Sequence, residues 1–102
     1  MSIKINAMQT CYISGKISGL SKTEYTRNFD EAKAIVTLGG FTAVSPLDLY
    51  CPINLWLAYM IVDIIVLSFC DCVYFMDNWS ESRGARIEYE FAMLLRKNII
   101  QI

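Results

Sequence analysis

One glutamate stands where a purely structural residue would be costly. Residues 82–97 read as an amphipathic helix, and at about 100° per residue Gly84, Ala92 and Leu95 fall within roughly 40° of Glu88. Phe91, Ala85, Ile87 and Leu94 continue that arc, while Arg86, Glu90 and Lys97 lie opposite. Glu88 is therefore centred in the stripe that should be buried. An unpaired buried carboxylate is expensive, so Glu88 is either paired with a donor elsewhere in the chain or faces a cavity. Small neighbours at Gly84 and Ala92 leave room beside it and favour the cavity.

Other residues could serve the same chemistry. Ser14-Gly15-Lys16-Ile17-Ser18-Gly19 runs from an apolar segment into a glycine turn, whose backbone N–H groups suit an anion. Lys16 and Ser18 add a charge and a hydroxyl. The order and spacing fit neither a phosphate-cradling Walker loop nor the dinucleotide pattern, and a plain turn is the competing reading. Ser82 is placed to cap the Glu88 helix, and Gly84 allows a ligand close to its first turn. Asp63 is a second acid inside an apolar helix, either satisfied internally or bonded to a ligand. Asp77 follows an apolar strand, Asp71 precedes it and suits a cap or turn, and Tyr12 has a hydroxyl to offer the same cleft. Together these groups suit a phosphorylated or hydroxyl-rich ligand with an electrophilic carbon. A sugar anomeric carbon fits, because a glutamate can attack it through an oxocarbenium-like transition state and form a covalent glycosyl intermediate.

Composition narrows the field. At 102 residues the chain is one domain. A net charge of −1 with scattered basic residues argues against nucleic acid as a partner. The absence of histidine removes Ser-His-Asp and Cys-His catalysis and any His-ligated metal. Cys11, Cys51, Cys70 and Cys72 follow no signal-like segment, so they read as reduced thiols of a cytoplasmic protein. Cys70-x-Cys72 without a second pair is a weak metal signal, and neither metal nor cofactor is expected. The run from Ile53 to Phe69 is broken by Asn54, Asp63 and Ser68, which reads as a core helix and not a membrane span. The hydrophobic fraction of 55% suggests that a partner subunit covers part of the surface.

The elements that would position these groups can be read from spacing. Residues 1–9 form a short leader and 10–102 the domain. Strands are expected at Thr10–Ser14, Phe41–Val44, Cys72–Met76 and Ile99–Ile102. Helices are expected at Thr23–Leu38, Ile53–Leu67 and Arg83–Lys97. Strict β-α alternation implies a parallel sheet with right-handed crossovers and helices on both faces. Ligands bind such sheets beyond the carboxyl ends of the strands, where the loops carrying Ser14–Gly19, Ser45–Leu47 and Asp77–Gly84 converge.

Several short motifs in this order make the chain recognisable. They are Tyr12-Ile13-Ser14-Gly15-x-Ile17-Ser18-Gly19, Ser45-Pro46, Trp56-x-x-Tyr59-Met60-x-x-Asp63-Ile64, Cys70-Asp71 and Trp79-x-x-Ser82-x-Gly84-Ala85-x-x-Glu88. The sequence resembles the nucleoside 2-deoxyribosyltransferase-like superfamily, and within it the DUF4406 group. The resemblance implies a small flavodoxin-like (Rossmann-like) three-layer α/β domain with a parallel sheet of about four strands. It implies that Glu88 matches the nucleophilic glutamate, and that Tyr12, Gly15, Ile17, Asp63, Ser82 and Gly84 match pocket positions. In related nucleotide N-glycosidases the glycine turn and the serine-x-glycine hold the 5′-phosphate. Lys16 replaces the usual proline of that turn.

The resemblance also implies a homo-oligomer, a dimer or tetramer, in which a neighbour can complete the pocket. The transferases carry a C-terminal extension that this sequence, ending at Ile102, does not show. The expected function is an N-glycosidase or deoxyribosyltransferase acting on a (deoxy)nucleoside or its 5′-monophosphate. Glu88 and Asp63 would be the catalytic pair, and Gly15, Lys16, Ser18, Ser82 and Gly84 would hold the 5′ end. The alternative is a nucleotide-binding module of the same fold without turnover.

Overall fold

The computed structural model describes residues 9–101. The leader read over residues 1–9 lies outside them except for Gln9, and so does Ile102. Four strands form one sheet: β1 (Thr10–Ser14), β2 (Thr42–Val44), β3 (Cys72–Phe75) and β4 (Asn98–Gln101). Their spatial order is β2-β1-β3-β4, and all three pairings are parallel. The helices are α1 (Lys22–Leu38), α2 (Trp56–Phe69) and α3 (Arg83–Leu94), with short 3₁₀ turns at Pro46–Asp48 and Trp79–Glu81. The alternation read from the sequence is thus the alternation of the fold.

Strand periodicity divides the core into two layers. On one face Cys11, Ile13, Cys72, Tyr74 and Met76 pack with Phe29, Ala32 and Val36 of α1. On the other, Tyr12, Val73 and Phe75 pack with Leu67 of α2 and Ala92 of α3. The central strands β1 and β3 are covered on both faces, which is why neither shows the apolar–polar alternation of a half-exposed strand.

The element ends follow local chemistry. Ser21 caps α1 by accepting from the Glu24 N–H, and its hydroxyl bonds the Glu24 carboxylate. Helix α2 begins at Trp56, three residues later than its apolar content suggested. Leu55 holds an extended conformation there and supplies no side-chain cap. Helix α3 stops at Leu94, short of Lys97, because Arg96 adopts a left-handed conformation with φ of 56°. The Arg96 and Lys97 N–H groups then bond back to the Met93 and Ala92 carbonyls and close the helix. Asp71 caps no helix: its carboxylate accepts from the Thr10 N–H and hydroxyl and fixes the start of β1.

No helix among the described residues is long and apolar enough to cross a membrane.

Candidate functional site

The loops after β1, β2 and β3 meet at the carboxyl edge of the sheet and, with α2 and α3, enclose a cavity of about 760 Å³. Glu88 lies in its wall, 4% exposed. The Tyr12 hydroxyl donates to Glu88 Oε2 at 2.8 Å, and the Ser14 hydroxyl donates to Oε1 at 2.6 Å. Tyr12 and Ser14 are two residues apart on β1, so strand alternation turns both side chains to the α2–α3 face, where α3 brings Glu88. Both donors are fully buried, and among the described residues no cation pairs with Glu88. Each carboxyl oxygen is thus held in a fixed position with no countercharge among the described residues.

Burial drives the electrostatics. Desolvation raises the Glu88 pKa to about 7, the Ser14 and Tyr12 hydroxyls pull it back, and the charge of Asp63 pushes it further up. Asp63, half-buried in the wall from α2, is raised to about 6, chiefly by burial, with the Tyr12 hydroxyl opposing. The Tyr12 hydroxyl is raised well above the ordinary tyrosine value, by burial first and then by Glu88 and Asp63, so it stays a proton donor. Two carboxyl groups that titrate next to each other near neutral pH form an acid–base pair suited to proton transfer.

The phosphate-friendly features lie at the same cavity. Ser82 caps α3 by accepting from the Ala85 N–H. The Arg83 and Gly84 N–H groups make no hydrogen bond among the described residues, and they open the helix N-terminus to the cavity. A Cβ on Gly84 would stand 3.1 Å from Met60 Sδ, and one on Gly15 would meet the Met76 methyl group, so a side chain at either position would need a methionine to shift and would narrow the cavity. Phe75, Trp79 and Tyr89 pack ring to ring, with Trp79 stacked on Tyr89 at 4.5 Å. That cluster fixes the segment from β3 to α3 and so the position of Ser82.

Of the residues singled out from sequence, Gly15, Ile17, Ser18, Asp63, Ser82, Gly84 and Glu88 line this one cavity. Three sit differently. Tyr12 is not in the cavity wall: it lies under Glu88, and its hydroxyl donates to the carboxylate. Lys16 is not in the wall. Its N–H donates to Asn78 Oδ1, which removes one donor from the turn, and its ammonium reaches Glu81 at 3.8 Å. Asp77 belongs to a separate cleft beside α1, on the opposite side of the sheet.

The geometry also brings in residues outside the predicted set. Ser14 ends the expected first strand and carries no role of its own in the sequence reading, although its spacing from Tyr12 on a strand puts both side chains on one face. Asn78 ties the loop after β3 to the loop after β1. Arg83 lies over the Trp56 ring at 4.7 Å and puts a cation in the cavity wall.

The family model described as a domain of unknown function, DUF4406, matches residues 9–101. The chain belongs to the DUF4406 family. Among solved structures, this DUF4406 domain is similar to a 2-desoxiribosyltransferase from Leishmania mexicana, with a TM-score of 0.69 and 15% identity. The match covers 92% of this chain and 63% of that one, so the chain spans less than two thirds of that relative's length. At this identity the likeness establishes a nucleoside 2-deoxyribosyltransferase-like fold. No curated protein sequence matches the chain.

Proposed function

We propose that this DUF4406 domain cleaves the N-glycosidic bond of a (deoxy)nucleoside or nucleoside 5′-monophosphate, with Glu88 as nucleophile. The observation that carries the reading is Glu88 itself: buried in a cavity wall, unpaired by any cation among the described residues, with both oxygens fixed by the Tyr12 and Ser14 hydroxyls. A structural glutamate would be expected to meet an arginine or lysine. A nucleophile needs an ionisable carboxylate held in one orientation and open to a ligand. The fold shared with a 2-desoxiribosyltransferase supports the substrate class.

In this reading a Glu88 oxygen attacks the anomeric carbon as its bond to the base nitrogen breaks. Asp63, in its protonated form, gives a proton to the departing base. The sugar then sits as an ester on Glu88. In hydrolysis the Asp63 carboxylate takes a proton from water as its oxygen attacks the same carbon, or in transfer from the ring N–H of a second base, while the bond to Glu88 breaks and its carboxylate is released. The reactive form of the pair carries one proton, on Asp63. Because Glu88 holds a proton more tightly (about 7) than Asp63 (about 6), the singly protonated pair carries its proton mainly on Glu88, and the reactive arrangement is the minor form of a state centred between the two values. The free N–H groups at the start of α3, Ser82, Ser18 and the Arg83 guanidinium would receive the 5′ end or its phosphate.

We extend the proposal to self-association. Leu57, Ile61, Ile65 and Phe69 lie on the outside of α2 and are each more than half exposed. The only charged residue of α2, Asp63, lines the cavity. An uncharged apolar face of this kind suits a second copy of the same surface.

The test is base release. The protein is incubated with 2′-deoxynucleosides, ribonucleosides and their 5′-monophosphates, beside Glu88→Gln, and free base is measured by chromatography. Base released by the unmodified protein alone supports the reading. Release by both proteins removes Glu88 from the chemistry. Saturable ligand binding without release by either protein would instead mark a nucleotide-binding module.

A further inference from the structure

The second cleft lies on the other side of the sheet and is not used by the proposed reaction. Helix α1 packs on β1 and β2, and among the described residues it is the helix whose buried side chains join that face. Beside it, at the carboxyl end of β3, a cleft of about 290 Å³ remains. That volume is at the small end for ligand sites. Ala32, Ile35 and Met76 give it an apolar floor, and Glu31 and Asp77 stand in its wall.

Two observations distinguish this cleft from an ordinary surface groove. First, neither Glu31 nor Asp77 pairs with a cation among the described residues, since the ion pairs present use Glu81 and Asp48. Second, Tyr74 is only 6% exposed, with its ring packed in the α1-side core, yet its hydroxyl bonds no described residue. That hydroxyl is not sealed from solvent, and it reaches solvent through the cleft that Tyr74 lines. A buried tyrosine ordinarily has its hydroxyl satisfied. Here no described protein group supplies that partner, and the oxygen is left to water or to a ligand in the cleft.

We propose that this cleft binds a small aliphatic ammonium ligand. The unpartnered Tyr74 oxygen and the two unpaired carboxylates offer acceptors to an ammonium group, and charge-assisted hydrogen bonds of this kind are the stronger ones. The floor of Ala32, Ile35 and Met76 takes the alkyl chain. A bare metal ion would leave that apolar floor and most of the volume unfilled. The site is separate from the Glu88 cavity, so it stands or falls independently of the proposed glycosidase activity.

The probe is butylammonium chloride, titrated into ¹⁵N-labelled protein at fixed ionic strength and followed by amide chemical shifts. Sodium chloride is the matched control, and Tyr74→Phe, the double variant Glu31→Gln/Asp77→Asn and Glu88→Gln are titrated alongside. Saturable shifts centred on Asn28, Glu31, Tyr74 and Asp77 are expected. The carboxylate double variant should bind roughly tenfold more weakly or worse, Tyr74→Phe should be weakened while remaining folded, and Glu88→Gln should bind as the unmodified protein does. The proposal is overturned by shifts that sodium chloride reproduces, by the absence of saturation, or by affinity that survives removal of both carboxylates.

Discussion

The Ser14 hydroxyl and Glu88 Oε1 meet at 2.6 Å in the buried seam between β1 and α3, 74 residues apart in sequence. Their bond, with that from Tyr12 to the other oxygen, fixes a carboxyl group that burial alone would leave protonated at neutral pH. Strand, helix and proton affinity are therefore coupled at one point.

Removing the Ser14 donor raises the proton affinity of Glu88, because that bond favours the ionised form. Ser14→Ala should shift the optimum of kcat/KM to higher pH and lower its maximum by about tenfold to a hundredfold, the range for a hydrogen bond to a charged group. Ser14→Thr, which keeps the hydroxyl, should restore much of the loss. A pH–rate profile of the three proteins is the check. An unmoved optimum in Ser14→Ala would show that this bond does not tune Glu88.

Glu88 should make the fold less stable as pH rises. Below its ordinary value of 4.5 the carboxyl is protonated in both the folded and unfolded chain, whereas up to about 7 only the folded chain keeps the proton. Stability tied to this group is full at low pH and lost as pH passes through about 7. Glu88→Gln should therefore be more stable than the parent at pH above 7, on the order of 2–3 kcal/mol, and lose that advantage at acid pH. Urea denaturation across the range measures it. Strong destabilisation of Glu88→Gln at high pH would point to a structural role for the carboxylate.

Asp63 should matter most for bases that need a proton to leave. Asp63→Asn is expected to lower kcat by roughly 10²- to 10⁴-fold on ordinary nucleosides, the usual contribution of a general acid. On a substrate whose base departs as a stable anion the loss should be much smaller. Equal losses on both would assign Asp63 to positioning the sugar and not to proton donation.

Self-association should depend on the outside of α2. Ile61→Lys with Ile65→Lys places two charges in the exposed apolar stripe and should convert an oligomer to monomer in light scattering, with the fold retained by circular dichroism. A parent protein that is already monomeric at micromolar concentration would remove this part of the account.

Much of this architecture was written locally. The β1 run is buried from Cys11 to Ser14, and the β3 run starting at Cys72 is apolar and buried throughout, because both faces of each strand are covered. Glu88 stood out because helical periodicity put a carboxylate in an apolar stripe. What was not legible depended on neighbours distant in sequence. The start of α2 was misplaced because apolar residues continue through Ile53 and Leu55, and hydrophobicity marks a helix poorly where no capping residue stops it. The overrun at α3 came from Arg96, a residue type that seldom takes the left-handed conformation it adopts here. Asp77 was correctly placed after β3, but the carboxyl edge of a sheet has two sides. Only the packing of α1 against that face decides which cleft Asp77 joins.

The most direct test of the central claim is to trap the sugar on the protein. A 2′-deoxy-2′-fluoroarabinosyl nucleoside slows breakdown of a glycosyl ester because fluorine disfavours the oxocarbenium-like transition state. The protein is incubated with that compound, digested and analysed by mass spectrometry. The account predicts one fluorosugar on the peptide carrying Glu88, and none in Glu88→Gln. Base release with Glu88 left unmodified, or a sugar attached to another residue, would contradict it.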